Sequence, residues 1–141
     1  MGQQIKPLNE AEHKWIQENV NRFKCLLNKE SGGKINLYEL DEAFSNWMRS
    51  HDAEKEDPNP MINMFGIVFG HYIIDDIGLE WVIVSDDIGT DLAVHGESGS
   101  VLIYPLSFVA KRYVNKQTGF FSLFYPEIKK DVERFRIQKS S

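Results

Sequence analysis

The tetrapeptide Asp-Asp-Ile-Gly occurs twice in close succession, at 75–78 and 86–89. With Glu80 and Asp91 the two copies gather six carboxylates: Asp75, Asp76, Glu80, Asp86, Asp87 and Asp91. Carboxylates at such density can hold a divalent cation, dock a basic partner or cap turns. A calcium loop of EF-hand type needs oxygen ligands at alternate positions and a bidentate Glu at the twelfth. Starting from Asp87 puts Gly89 at the third position, and starting from Asp86 puts Ile88 there, so the pattern fails in both registers. A looser cation site at Asp86, Asp87 and Asp91 competes with plain turn chemistry, in which Asp caps its own turn. The turn reading is the simpler one, and no metal is expected.

Other chemistries find less support. Histidines 13, 51, 71 and 95 lack the i, i+4 or i, i+2 spacing of a zinc helix. His71 and His95 could still meet in space, and with Trp81 and Tyr104 they could line a pocket between a buried helix and a sheet. Cys25 falls on the polar flank of its helix and carries no nucleophile signature. The 96–100 stretch, GESGS, is not a nucleophile elbow, and SGGK at 31–34 is too short for a phosphate loop. No dinucleotide fingerprint occurs, so no cofactor and no catalytic residue is expected.

Charge is strongly partitioned. The net charge is -5, yet residues 58–110 hold seven acids and no Lys or Arg. Residues 111–141 hold eight bases and three acids. The acids could face a basic partner or this protein's own basic segment; for Asp75 and Asp76, at a helix C-terminus where the dipole disfavours them, the internal partner is preferred. The basic segment also carries Phe120, Phe121, Phe124 and Tyr125, a combination that can stack single-stranded nucleic acid. The negative net charge and the core-like placement of the aromatics argue against nucleic acid.

These residues must be positioned by an α+β fold within a single domain, a helical subregion at 1–57 and an α+β core at 58–141. Asn9 and Asn36, each with Glu three residues later, start helices over 9–29 and 36–51. Their short connection predicts an antiparallel helical hairpin. Residues 60–78 are apolar almost all round and predict a buried central helix, with Gly66 and Gly70 allowing close approach. Residues 80–86, 90–96 and 101–105 predict a three-stranded antiparallel meander. Pro105 then opens a helix, and Pro126 is placed as the first residue of a last helix, both packed on the sheet. With one cysteine, no apolar leader and no segment long enough to span a bilayer, the expectation is a cytoplasmic protein without membrane association.

The order of features from 66 to 132 is familiar: glycine-spaced helix, Gly78-x-x-Trp81-Val82, an acidic turn closed by Gly89 before Asp91-Leu92-Ala93-Val94, Pro105, then Val109, Lys111 and Arg112. It resembles the bacterial family named domain of unknown function 3806. The resemblance implies a bacterial, compact α+β domain and brings no catalytic residues. The functional expectation is therefore a small acidic, non-enzymatic binding protein whose six carboxylates dock a protein with a basic surface, for example an immunity protein neutralising a toxin. The alternative is a small-ligand sensor or enzyme using the pocket of His71, Trp81, His95 and Tyr104.

Overall fold

The computed structural model describes residues 2–28, 33–96 and 101–140, with side chains to 137. Residues 31–32 of the SGGK stretch and 97–100 of GESGS lie outside this set. The described elements run β1 (Gln4–Pro7), α1 (Glu10–Leu26), α2 (Leu37–Ser50), α3 (Asn59–Ile73), a π-wound turn (Ile74–Gly78), β2 (Glu80–Ser85), β3 (Thr90–Gly96), β4 (Val101–Ile103), α4 (Pro105–Val114) and α5 (Phe120–Ser140). The fold is α+β, with one antiparallel sheet in the order β1-β2-β3-β4.

Both N-terminal helices begin as their capping boxes dictate. The Asn9 and Glu12 side chains each accept the other's backbone N–H at 2.8 Å. The Asn36 side chain likewise accepts from the Glu39 N–H at 2.8 Å, and the Glu39 carboxylate from the Asn36 N–H at 2.9 Å. Helix α1 ends at Leu26, short of the glycines, because Asn28 takes the left-handed position (φ 56°) that an Asn tolerates beyond a helix end. The two helices do not pack chiefly on each other: α1 lies on α3, and α2 lies on α5 and α3. The all-apolar surface of α3 offers each more to bury against than the half-polar face of its sequence neighbour.

Every residue from Met64 to Gly70 is buried. Around α3 the rings of Phe44, Phe65, Phe69, Phe120 and Phe121 meet edge to face, as at Phe44–Phe65 (5.0 Å), Phe44–Phe120 (4.9 Å) and Phe69–Phe121 (5.1 Å). Burial of each such ring stabilises by about 1.5–3 kcal/mol. The two glycines set how closely α3 is approached. A Cβ at Gly66 would stand 2.7 Å from Leu106 Cα on α4, and one at Gly70 only 2.1 Å from Trp81 Cη2 on β2.

Three details of the sequence reading are corrected. The sheet has four strands, because Gln4–Pro7 pairs antiparallel with Val82–Ser85 and makes β2 an interior strand. A four-residue segment ending in proline carries almost no strand pattern of its own; the open edge of β2 recruits it. Helix α4 lies mainly along α3, touching the sheet at β3, and α5 lies mainly along α2. Finally, Pro126 sits inside a single helix rather than opening a new one. An interior proline costs roughly 3 kcal/mol, but Phe120, Phe121 and Tyr125 before it and Val132 after it are all buried, so core packing holds one helix through the break.

The start of α5 is capped from far away. The Asp41 carboxylate of α2 accepts the Phe121 N–H at 2.9 Å, the Ser122 N–H at 3.1 Å and the Ser122 hydroxyl. It satisfies donors that a helix leaves unpaired and sits at the positive end of the dipole. Replacing Asp41 with Ala should cost about 2 kcal/mol, read from the shift in urea midpoint. Gly66→Ala should cost about 1–3 kcal/mol by overpacking, since the atom it meets is backbone. A Gly66→Ala midpoint equal to wild type would show that α4 can move away from α3.

Candidate functional site

The two Asp-Asp-Ile-Gly copies end different elements. The first forms the π-wound turn that closes α3, and Gly78 (φ +83°) releases the chain into β2. Single π turns of this kind recur at functional sites. The second turns β2 into β3. The Asp86 N–H donates to the Gly89 carbonyl at 2.9 Å, while the Asp86 carboxylate accepts from the N–H groups of Ile88 (2.9 Å) and Gly89 (3.0 Å). This is the turn chemistry expected of Asp. Among the described residues no group of three or more His, Cys, Asp or Glu side chains converges as a metal would require.

The six carboxylates do not form one patch. Asp76 faces the protein's own basic segment: it accepts from Lys129 Nζ at 3.2 Å and from the Tyr125 hydroxyl. Asp75 lies 3.4 Å from His71 Nε2, and Glu80 lies 3.4 Å from His95 Nδ1 across the β2–β3 ladder. Asp86, Asp87 and Asp91 lie apart from these, at the hairpin end of the sheet. At its tip Ile88 is 96% exposed, more than any other large apolar residue described.

The four-residue pocket does not assemble. Trp81 fills the space between α3 and the sheet against Gly70. Strand alternation puts His95, the register partner of Glu80, on the opposite face from Trp81. Tyr104 packs with Val82, Val84 and Ala93, also away from α3. His71 lines a cleft on the α3 side, and Tyr104 lines a separate groove.

That cleft has a volume of about 600 Å³. One wall carries Lys24 and Lys34, from the end of α1 and the stretch before α2. The other carries His71, Tyr72, Asp75 and Asp76. A second, more open groove of about 580 Å³ runs beside the β2–β3 hairpin and is lined in part by Asp86, Asp91, Tyr104 and Arg112. The Arg112 guanidinium covers the rings of Phe108 (4.1 Å) and Phe124 (4.9 Å), a cation–π contact on both. Phe120, Phe121 and Tyr125 are buried, so the aromatic run between the C-terminal bases is core and not a base-stacking platform. Sequence reasoning missed Lys24 and Lys34 because nothing in their local pattern points toward α3. Arg112 figures in the sequence as a C-terminal base and as part of the family pattern, with nothing to show that it covers two rings.

The Asp76 network is electrostatically tuned. The Tyr125 hydrogen bond, helped by Lys129 and opposed by partial burial, holds the Asp76 carboxyl below its ordinary range. Burial first, and then Asp76, push the Tyr125 hydroxyl up; Tyr72 is raised for the same two reasons. A carboxyl with a folded value below its unfolded one stabilises fully above the ordinary carboxylate range. That stabilisation is lost as pH falls through the folded value. Asp76→Asn should therefore cost about 1–2 kcal/mol at neutral pH, and the variant should lose less further stability than wild type on acidification. Urea midpoints at neutral and acid pH check this, and parallel curves would remove Asp76 from the acid response.

Among the described residues, no helix is long and apolar enough to cross a membrane. No curated protein matches the chain. A crystal structure from Bacteroides thetaiotaomicron VPI-5482 is similar to it with a TM-score of 0.63 and 13% identity, over 83% of this chain and 43% of that one. This likeness speaks for the fold alone, and the present chain spans less than half the length of that neighbour. The family match begins inside α2 and includes α3, the whole hairpin and the start of α5. Through that match to the domain of unknown function DUF3806 over residues 42–125, more than half of its length, the chain belongs to this family.

Proposed function

We propose that this protein is a non-enzymatic binding protein that docks a partner with a basic surface at the tip of the β2–β3 hairpin. One observation carries the reading. Ile88, an apolar side chain exposed to 96%, stands at the tip of a turn fixed by two hydrogen bonds to Asp86 and flanked by further acids. An exposed isoleucine on a preorganised turn loses little freedom on docking. Acids around an apolar anchor steer a basic partner and set its orientation. The adjoining groove, with Asp91 and Tyr104, extends the contact surface. The filled interior between α3 and the sheet supports a surface role over a buried active site. Neutralisation of a basic toxin is the immunity-type form of this reading.

Asp86 builds the turn, so the test leaves it in place. Ile88→Ser, Asp87→Lys and Asp91→Lys are combined in one variant, and proteins captured by it and by wild type from the native host's extract are compared at low and high salt. A basic partner should be captured by wild type, released by salt and absent from the variant. Capture of the same proteins with the same salt response would sink the docking reading. If the captured partner is toxic on expression, co-expression of wild type but not of the variant should relieve it.

A further inference from the structure

We infer that the cleft between α1 and the start of α3 is a binding site for a neutral sugar in its pyranose form. It lies apart from the hairpin tip and does not rest on the docking reading. The cleft, of about 380 Å³, is lined by Trp15, Glu18, Asn19 and Arg22 of α1 and by Pro60 and Asn63 of α3. Its volume is within the roughly 300–1,000 Å³ usual for small-ligand sites. The four α1 residues fall at i, i+3, i+4 and i+7 on one helix face and span about 10 Å of its axis. Their polar groups therefore form a row along the cleft and not a single point.

Two amides in this lining are short of partners. Asn19 is the buried polar residue of α1, 8% exposed. Its Nδ2 donates to the Trp15 carbonyl at 2.9 Å, which fixes the amide. Its Oδ1 accepts nothing from the described residues and is not sealed off, so it opens on the cleft. Asn63 interrupts the apolar run of α3 and is half-buried, and its side-chain amide has no hydrogen-bond partner among the described residues. Amides withdrawn from water need partners, and a ligand rich in hydroxyls supplies them.

The rest of the lining narrows the ligand. Glu18 is 60% exposed and makes only a 3.9 Å ion pair with exposed Lys14, a contact of little strength. The Arg22 guanidinium makes one 3.8 Å contact, with Met61 Sδ. A carboxylate and a guanidinium side by side give an ion of either sign no net gain, and an apolar ligand would leave both amides unpaired. A hydroxyl donates and accepts, so neighbouring hydroxyls on one ring serve the carboxylate, the guanidinium and the amides together. Trp15 is 41% exposed, and its indole N–H has no partner among the described residues. It offers the C–H face of a sugar ring an apolar side and one further donor. That surface is what favours a ring over an open-chain polyol.

The test is titration of the full chain with D-glucose, D-galactose, D-mannose, N-acetyl-D-glucosamine and their disaccharides, followed by backbone amide and indole N–H shifts. At least one sugar should shift amides at 15–22 and 60–63 and the Trp15 indole N–H, which Trp15→Phe identifies by its loss. Asn63→Ala and Trp15→Ala should each weaken that sugar about tenfold, the loss of one contact. The amide spectrum of each variant reports whether the fold is kept, and either variant alone suffices. Sorbitol, the open-chain comparison, should bind more weakly than the sugar. Absence of shifts at these residues with every sugar in the tens of millimolar overturns the inference. So does sorbitol or adenosine binding as tightly as the best sugar, or sugar binding that a folded variant leaves unchanged.

Discussion

A helix that is apolar on every side has to be covered on every side, and that requirement organises this protein. Met64 to Gly70 leave no face of α3 to water. Helix α1 covers one side, α2 and α5 another, α4 a third, and Trp81 of the sheet closes the remainder. The cover must also fit. Gly66 admits the α4 backbone and Gly70 admits the Trp81 indole, at distances where any side chain would collide. Neither glycine is there for a turn. Each trades some helix propensity, roughly 1 kcal/mol, for contact with a neighbouring element.

The same requirement decides where the charge goes. Because α5 has to lie against the core, its basic outer residues arrive at the end of α3, where two aspartates sit against an unfavourable dipole. Lys129 and Tyr125 answer Asp76 there. Arg136 donates at 2.7 Å to the carbonyl of Ile77 within the π-wound turn. At its other end α5 is held by Asp41. At Asp76 an acidic middle and a basic end, separate along the chain, thus become a local pair in space. The charge partition in the sequence reports an internal fit at Asp76 as well as a surface at the hairpin.

How much of this could be read beforehand depended on the range of the interaction. Both capping boxes, the all-apolar helix, the Gly78 exit, the Asp86 turn and Pro105 at the start of α4 are local, and the sequence pattern contains them. The idea that Asp75 or Asp76 would find a base in the C-terminal segment rested on charge sums and held for Asp76. Strand β1 was not legible because its only cause is the neighbouring edge of β2. The continuity of α5 through Pro126 was not legible because rings on both sides are buried by other elements. The Asp41 cap joins residues 80 apart in the chain. The four-residue pocket of the alternative reading failed on strand parity: His95 and Trp81 lie on opposite faces once the register is set.

With the space between α3 and the sheet filled, the hairpin tip and the cleft beside the π-wound turn are surface features, and they are physically unlike. The hairpin tip is convex, stiffened by Asp86 and led by an exposed isoleucine, a shape suited to entering a recess on a larger partner. The cleft is concave, with lysines from the chain before α2 and aspartates from the end of α3 in its lining. Their positions relative to the family match also differ. The hairpin lies wholly within residues 42–125, and so does the acidic wall of the cleft, whereas Lys24 and Lys34 precede it. The family region by itself therefore carries the Asp86 turn and the α3 side of the cleft.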